Sequence, residues 1–179
     1  MRCLSARSLG LILAAAFPIA AQSPSYGLGR APQPEEIKAW DLAISPDGKE
    51  LPPGSGSAAD GAAIYAARCA ACHGKTGKEG PNDVLVGGQG TLNTNKPVKT
   101  IGSYWPYATT VWDYINRAMP YNKPGSLSAD QVYAVAAYLL SLNGIIKEDA
   151  VMNAKTLPQV KMPNRDGFIG DPRPDWKSH

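Results

Sequence analysis

One pentapeptide constrains this chain more than any other feature: Cys69-Ala70-Ala71-Cys72-His73. C-x-x-C-H is the attachment signature of a c-type haem. The chemistry requires that spacing. Two thiols add across the two vinyl groups of the porphyrin and leave thioether bonds, and the next residue turns its imidazole to the iron as proximal ligand. At this composition the pattern arises by chance with a probability on the order of 5 in 10,000. Two other readings compete with it. A redox-active C-x-x-C belongs in a βαβ setting, and the sequence has no such pattern. A zinc site needs further Cys or His ligands, and the only other His is His179, the last residue.

The N-terminus bears on the fate of these thiols. Arg2 and Arg7 flank a short apolar run, Leu9 to Ala16, and Pro18 to Ala21 end in small residues suited to cleavage. Residues 1–21 therefore read as an export signal, and the protein is expected in the periplasm. The apolar run is too short for a confident span, so stable membrane insertion is not expected; an uncleaved anchor is the competing reading. Cleavage removes Cys3, leaving Cys69 and Cys72 as the only thiols. It also removes Arg2 and Arg7, taking the formal charge from +3 to +1. Such a charge gives no reason to expect nucleic-acid binding. In an oxidising compartment an unprotected vicinal dithiol would tend to close, so something must occupy that pair.

Three helices are legible. The first is capped by Ser57 or Asp60, is rich in Ala and runs into the C-x-x-C-H segment. The second covers about Thr109–Ala118, with Val111, Trp112, Ile115, Ala118 and Met119 on one face and Pro120 ending it. The third opens with a Ser128/Gln131 capping box, carries Val132, Val135, Ala136, Leu139 and Leu142, and closes at Asn143-Gly144. One or two further helical turns fit after Pro34, where Glu35 and Glu36 suit the helix dipole. No strand pattern is found. Gly74 to Lys99 reads as loop. The organisation expected is a Pro/Gly-rich arm (22–56), a helical domain (57–143) and an extended tail (144–179). So few short helices enclose little apolar volume, a deficit that a large prosthetic group would make good.

A haem held by His73 needs a second axial ligand, and Met opposite His is common. Met119 is the first candidate, because one segment ending the second helix could then cover the opposite face. Met152, Met162 and His179 compete, and Met119 could instead be a core residue. Lys75, Lys78, Lys96 and Lys99 could steer an acidic partner or merely solvate their loop. Trp105, Tyr107, Trp112 and Arg117 could bond haem propionates or serve packing.

The chain resembles the class I monohaem c-type cytochromes over about 57–143. Gly61, Tyr65 and Cys69 are spaced as that family's small residue, aromatic and first thiol, with Tyr138 as partner aromatic. Gly80-Pro81 looks like the family's Gly-Pro, whose Pro carbonyl accepts the proximal imidazole N–H. The resemblance implies an all-α class I cytochrome c fold with one haem c on Cys69, Cys72, His73 and Met119. The arm YGLGRAPQPEEIKAW and the segments LVGGQGTL, YATTVWDYINRAMPY and LSADQVYAVAAYLLSLNGII are similar to the cytochrome subunits of periplasmic sulfite and sulfane dehydrogenases. Longer members of that group carry a second haem domain; this chain has one C-x-x-C-H. The resemblance implies electron transfer from a molybdenum-cofactor dehydrogenase subunit to a downstream cytochrome. A haem enzyme such as a thiosulfate dehydrogenase, or a freely diffusing shuttle, are the alternatives.

Overall fold

The computed structural model describes residues 26–173. The expected export signal and His179 lie outside the described residues. Five helices, α1 (Pro34–Trp40), α2 (Ala58–Arg68), α3 (Ala70–His73), α4 (Ala108–Ala118) and α5 (Ala129–Leu142), carry the fold. Among the described residues no helix is long and apolar enough to cross a membrane.

Local chemistry sets the helix limits. Ser57 Oγ accepts from the Asp60 N–H and starts α2, so Ser57 is the cap rather than Asp60. The helix does not run unbroken through the thiols. It ends at Cys69, whose φ and ψ are −122° and −36°, and α3 restarts at Ala70. Gly74, at φ +79°, then turns the chain away in a conformation that favours glycine. α5 has the full Ser128/Gln131 capping box at its start, and Gly144 follows its end at φ +67°.

α5 is the centre of the molecule. Val132 to Ala137, Leu139 and Leu140 are all buried. α2 crosses α5 at Gly61, where a Cβ would fall on the Ala134 carbonyl and Tyr138 Cβ. One turn further along, Tyr65 and Tyr138 stack at a tilt, with ring centroids 5.3 Å apart. α4 packs on α5 through Trp112 and Tyr133, again with 5.3 Å between centroids. The all-α class I architecture expected from the sequence is the one observed.

The arm and tail hold structure that the sequence did not disclose. Ser55–Ser57 (β1) and Val151–Asn153 (β2) pair antiparallel, with Gly56 opposite Met152. Strands of three residues are too short to show an alternating pattern. A Cβ on Gly56 would overlap the Ala134 backbone, so this small sheet lies directly on α5. Met152, Leu157, Val160 and Met162 of the tail, and Ile44 and Leu51 of the arm, join the same apolar core as α5. Hydrogen bonds fasten the inner arm. Asp113 Oδ1 accepts from the Ile44 N–H at 3.1 Å, Tyr133 donates to the Pro52 carbonyl at 2.9 Å, and Asp130 accepts from the Ser55 N–H at 2.7 Å. Beyond Ile44 the arm runs free: α1 has no buried residue.

The α2/α5 crossing yields a stability prediction. Gly61→Ala should gain about 1 kcal/mol in helix propensity but lose about 1–3 kcal/mol to overpacking, because the obstacle is backbone and cannot swing aside. The net expectation is a melting temperature lowered by several degrees in the haem-loaded protein. Unchanged or raised melting would show that the helices do not meet at Gly61.

Candidate functional site

The site is built where α2 gives way to α3. Cys69 sits at that junction, half-buried against the core, while Cys72 is exposed on α3. Burial, with the Cys72 thiol a lesser contribution, pushes the Cys69 thiol up to about 11. That is the reverse of a redox-active cysteine, whose reactivity depends on a lowered pKa. Among the described residues no group of three or more His, Cys, Asp or Glu side chains is arranged to hold a metal ion.

His73 ends α3, half-buried, with Nδ1 2.9 Å from the Asp83 carbonyl oxygen. A carbonyl can only accept, so Nδ1 carries the proton and Nε2 is left with its lone pair. This fixes the tautomer that a metal-ligating imidazole needs. The acceptor is Asp83, not Pro81 as the family pattern suggested. The loop turns twice through glycine, at Gly74 and at Gly77 (φ +77°), and passes so close to the helix that a Cβ on Gly80 would strike Cys72 and His73 backbone. The Asn82 N–H donates to the Cys72 carbonyl at 2.9 Å, which brings the next carbonyl, that of Asp83, over the imidazole.

Three side chains hold that loop. Tyr65 donates to the Gly74 carbonyl at 2.9 Å from the buried side, where desolvation pushes its phenol up to about 12. Glu79 accepts from Thr76 Oγ1 at 2.5 Å and from the Thr76 and Lys78 N–H groups at 3.1 Å each. These bonds, the Thr76 hydroxyl foremost, hold the Glu79 carboxyl below its usual range. Asn143, just past α5, accepts from the Gly87 N–H at 3.0 Å and donates to the Leu85 carbonyl at 3.2 Å. The sequence marked Asn143 only as part of a helix end and gave no signal for Asp83 or Glu79.

Met119 follows α4 directly, half-buried, packed on the same core as Cys69. Pro120 offers no N–H to continue the helix, so the chain turns off at the methionine. α2 and α4 both pack on α5 but make no extensive contact with each other. The two candidate ligand segments are thus referred to one central helix. Met152 and Met162 are buried in the core, Met152 within the β1/β2 pair.

The other sequence candidates divide. Arg117 is already bonded to Asp113 through Nε at 2.9 Å. Tyr107 lies under the Arg165 guanidinium at 4.5 Å, and Trp105 stands edge-on to Tyr114 at 5.7 Å. Trp112 is buried with no hydrogen-bond partner for Nε1, and Ser126 Oγ is likewise unpartnered. Lys75, Lys78 and Lys96 are exposed, and so is Lys99, which lies over the Tyr104 ring at 5.1 Å.

The residues present fit a haem c. The imidazole is held in the ligating tautomer, the thiols are spaced for two thioethers, and Trp112, two helical turns before Met119 on α4, leaves a buried N–H without an acceptor.

Comparison with known proteins agrees. A family model described as cytochrome C oxidase, cbb3-type, subunit III matches residues 56–139, which defines the class as a c-type cytochrome domain carrying covalently bound haem c. The structure is similar, over most of its length, to a chain in the crystal structure of the sulfane dehydrogenase SoxCD from Paracoccus pantotrophus. Identity is 50%, with 83% of this chain and 74% of that chain covered and a TM-score of 0.74. The chain belongs to the SoxD-like c-type cytochromes. No curated protein matches it significantly.

The Glu79 geometry predicts a pH effect on the loop. Its pKa is depressed in the folded state, so its bonds contribute fully above the ordinary value of 4.5 and are lost as pH falls through the lower, folded value. Amide exchange at Thr76 and Lys78 in the haem-loaded protein should quicken, beyond the intrinsic trend, only below about pH 4.5. In Glu79→Gln the extra step should vanish. An identical profile in both proteins would contradict the assignment.

Proposed function

We propose that this chain is the electron-transfer subunit of a periplasmic molybdenum-cofactor dehydrogenase acting on sulfite or sulfane sulfur, and that it passes electrons to a downstream cytochrome. The observation that carries the reading is the 50% identity to a chain of a sulfane dehydrogenase complex, across most of this protein. A haem bound here supplies a reversible one-electron couple.

Cys69 and Cys72 would hold the single haem through thioethers, and His73 Nε2 would face the iron. The bond from His73 Nδ1–H to the Asp83 carbonyl orients the ring and makes it a stronger donor. Met119 would be the opposing ligand. Met152 and Met162 are engaged in the buried core, which supports Met119 over either of them. If His73 and Met119 both serve to hold the haem, the chain would offer a sulfur substrate no open metal position, so the reading is transfer and not catalysis at haem. Export through residues 1–21 would deliver the chain to the periplasm and leave both thiols committed to the cofactor.

Visible spectroscopy tests the ligand set. The oxidised protein should show the sulfur-to-iron charge-transfer band near the red edge of the visible spectrum. Met119→Ala should abolish it and lower the potential, while Met152→Ala should keep the band at some loss of stability. A band that survives in Met119→Ala would overturn the assignment.

A further inference from the structure

We infer that the outer arm, from Tyr26 to Leu42 and including α1, is the element that docks the molybdenum-cofactor subunit; this inference rests on the function proposed above. The arm is apolar where it should not be. Tyr26, Leu28, Ile37, Trp40 and Leu42 are 80%, 89%, 51%, 88% and 56% exposed. Lone apolar residues on a surface are ordinary; five large ones within seventeen consecutive positions are more than such scatter provides. Their exposed area is on the order of 700 Å². A standard interface buries about 800 Å² per partner.

The arm also carries a helix of its own. Helices shorter than about 12–15 residues are marginal in water without packing, and α1 has seven residues and no buried face. It is held by local bonds only. Pro34 starts it, Glu36 accepts from the Gln33 N–H at 2.8 Å, and Arg30 Nη1 bonds Glu36 Oε2 at 2.8 Å. This order aligns Ile37 and Trp40, three residues apart, on one face. Arg30, Pro32, Glu36, Ile37, Trp40 and Asp41 line one open, shallow stretch of surface. A short ordered helix with its apolar face in solvent has the form of an element completed by another protein.

The occupant follows from where the likenesses begin. The general cytochrome family model starts at residue 56. The match to the sulfane dehydrogenase chain covers 83% of this protein, more than residues 56–179 can supply, so it reaches into the arm. The arm is therefore shared with a chain from a dehydrogenase complex and lies outside the general haem-binding unit. Its root is firm. Ile44 is buried and its N–H is bonded to Asp113 on α4, six residues before Met119. Along the helix axis that is about 9 Å. A partner gripped by the arm is tethered beside the helix that leads to the candidate axial ligand.

The test uses the full haem-loaded chain with a C-terminal affinity tag, produced in its source organism. Captured protein is assayed for molybdenum and identified by mass. The wild type should retain a molybdenum subunit in a 1:1 ratio. Ile37→Ser with Trp40→Ala should reduce the captured molybdenum at least tenfold, with the haem spectrum and melting temperature unchanged, since both side chains are exposed. Tyr26→Ala with Leu28→Ala should give an intermediate loss. Undiminished capture by the α1 variant would overturn the docking role while leaving the proposed function standing. Absence of any molybdenum protein with the wild type would overturn both. A wild-type dimer that the α1 variant dissolves would assign the arm to a second copy of this chain and overturn the inference.

Discussion

The fold depends on a crossing with no space to spare. At Gly61 α2 approaches the α5 backbone so closely that no side chain fits, and Gly56 repeats the close approach from β1. Both contacts fall on Ala134. Close approach is what allows Tyr65 to reach across to Tyr138 on one side and to the Gly74 carbonyl on the other. The residue that locks the helix crossing thus also holds the turn leaving His73. Shifting the crossing outward by the width of a methyl group would move Cys69, one turn beyond Tyr65, by a similar amount. The position of the thiols is set by backbone contact, which is less compliant than side-chain packing.

From that crossing the site is ordered outward by hydrogen bonds, and most of their acceptors are backbone. His73 bonds to a carbonyl, Tyr65 to a carbonyl and Asn143 to two carbonyls and an amide. Each net bond is worth only about 1 kcal/mol. Together they hold a loop with no helix or strand of its own. Asn143 joins this loop to the end of α5, so the same helix that receives Gly61 also fixes the far end of the segment over the imidazole. Such a scaffold suits electron transfer, in which the ligand set must hold its geometry while the iron changes charge.

The parts legible in the sequence were those encoded by local residue type. C-x-x-C-H, the caps at Ser57 and Ser128, the stop at Pro120 and the Gly61/Tyr65/Tyr138 crossing each depend on a side chain, or its absence, at a fixed spacing. The carbonyl that accepts the His73 N–H is that of Asp83 rather than Pro81, because every residue carries a carbonyl and only the path of the loop decides which one reaches the ring. β1 and β2 were missed because Ser-Gly-Ser and Val-Met-Asn are too short to carry a period, and their pairing joins segments almost a hundred residues apart. The tail reads as polar and Pro-rich, yet Met152, Leu157, Val160 and Met162 are spaced so that each reaches the core from irregular backbone. No periodicity describes that, because no regular element produces it.

The small core anticipated from three helices is accordingly larger than the helices alone provide. Inner arm and tail close around α4 and α5, and Asp113 shows how the enlargement is stabilised. A buried carboxylate is costly unless it is paired and hydrogen-bonded. Asp113 meets both conditions, through Arg117 on its own helix and the Ile44 N–H from the arm. The hydrogen bond from Arg117 to Asp113 raises the guanidinium pKa above its ordinary value. The arm is therefore not loosely attached to a finished domain. Its inner half supplies part of the compensation that lets α4 carry a buried charge, and its outer half leaves α4 at a defined point. Its inner half therefore belongs to the folded cytochrome, whereas α1 in the outer half places no residue in that apolar core.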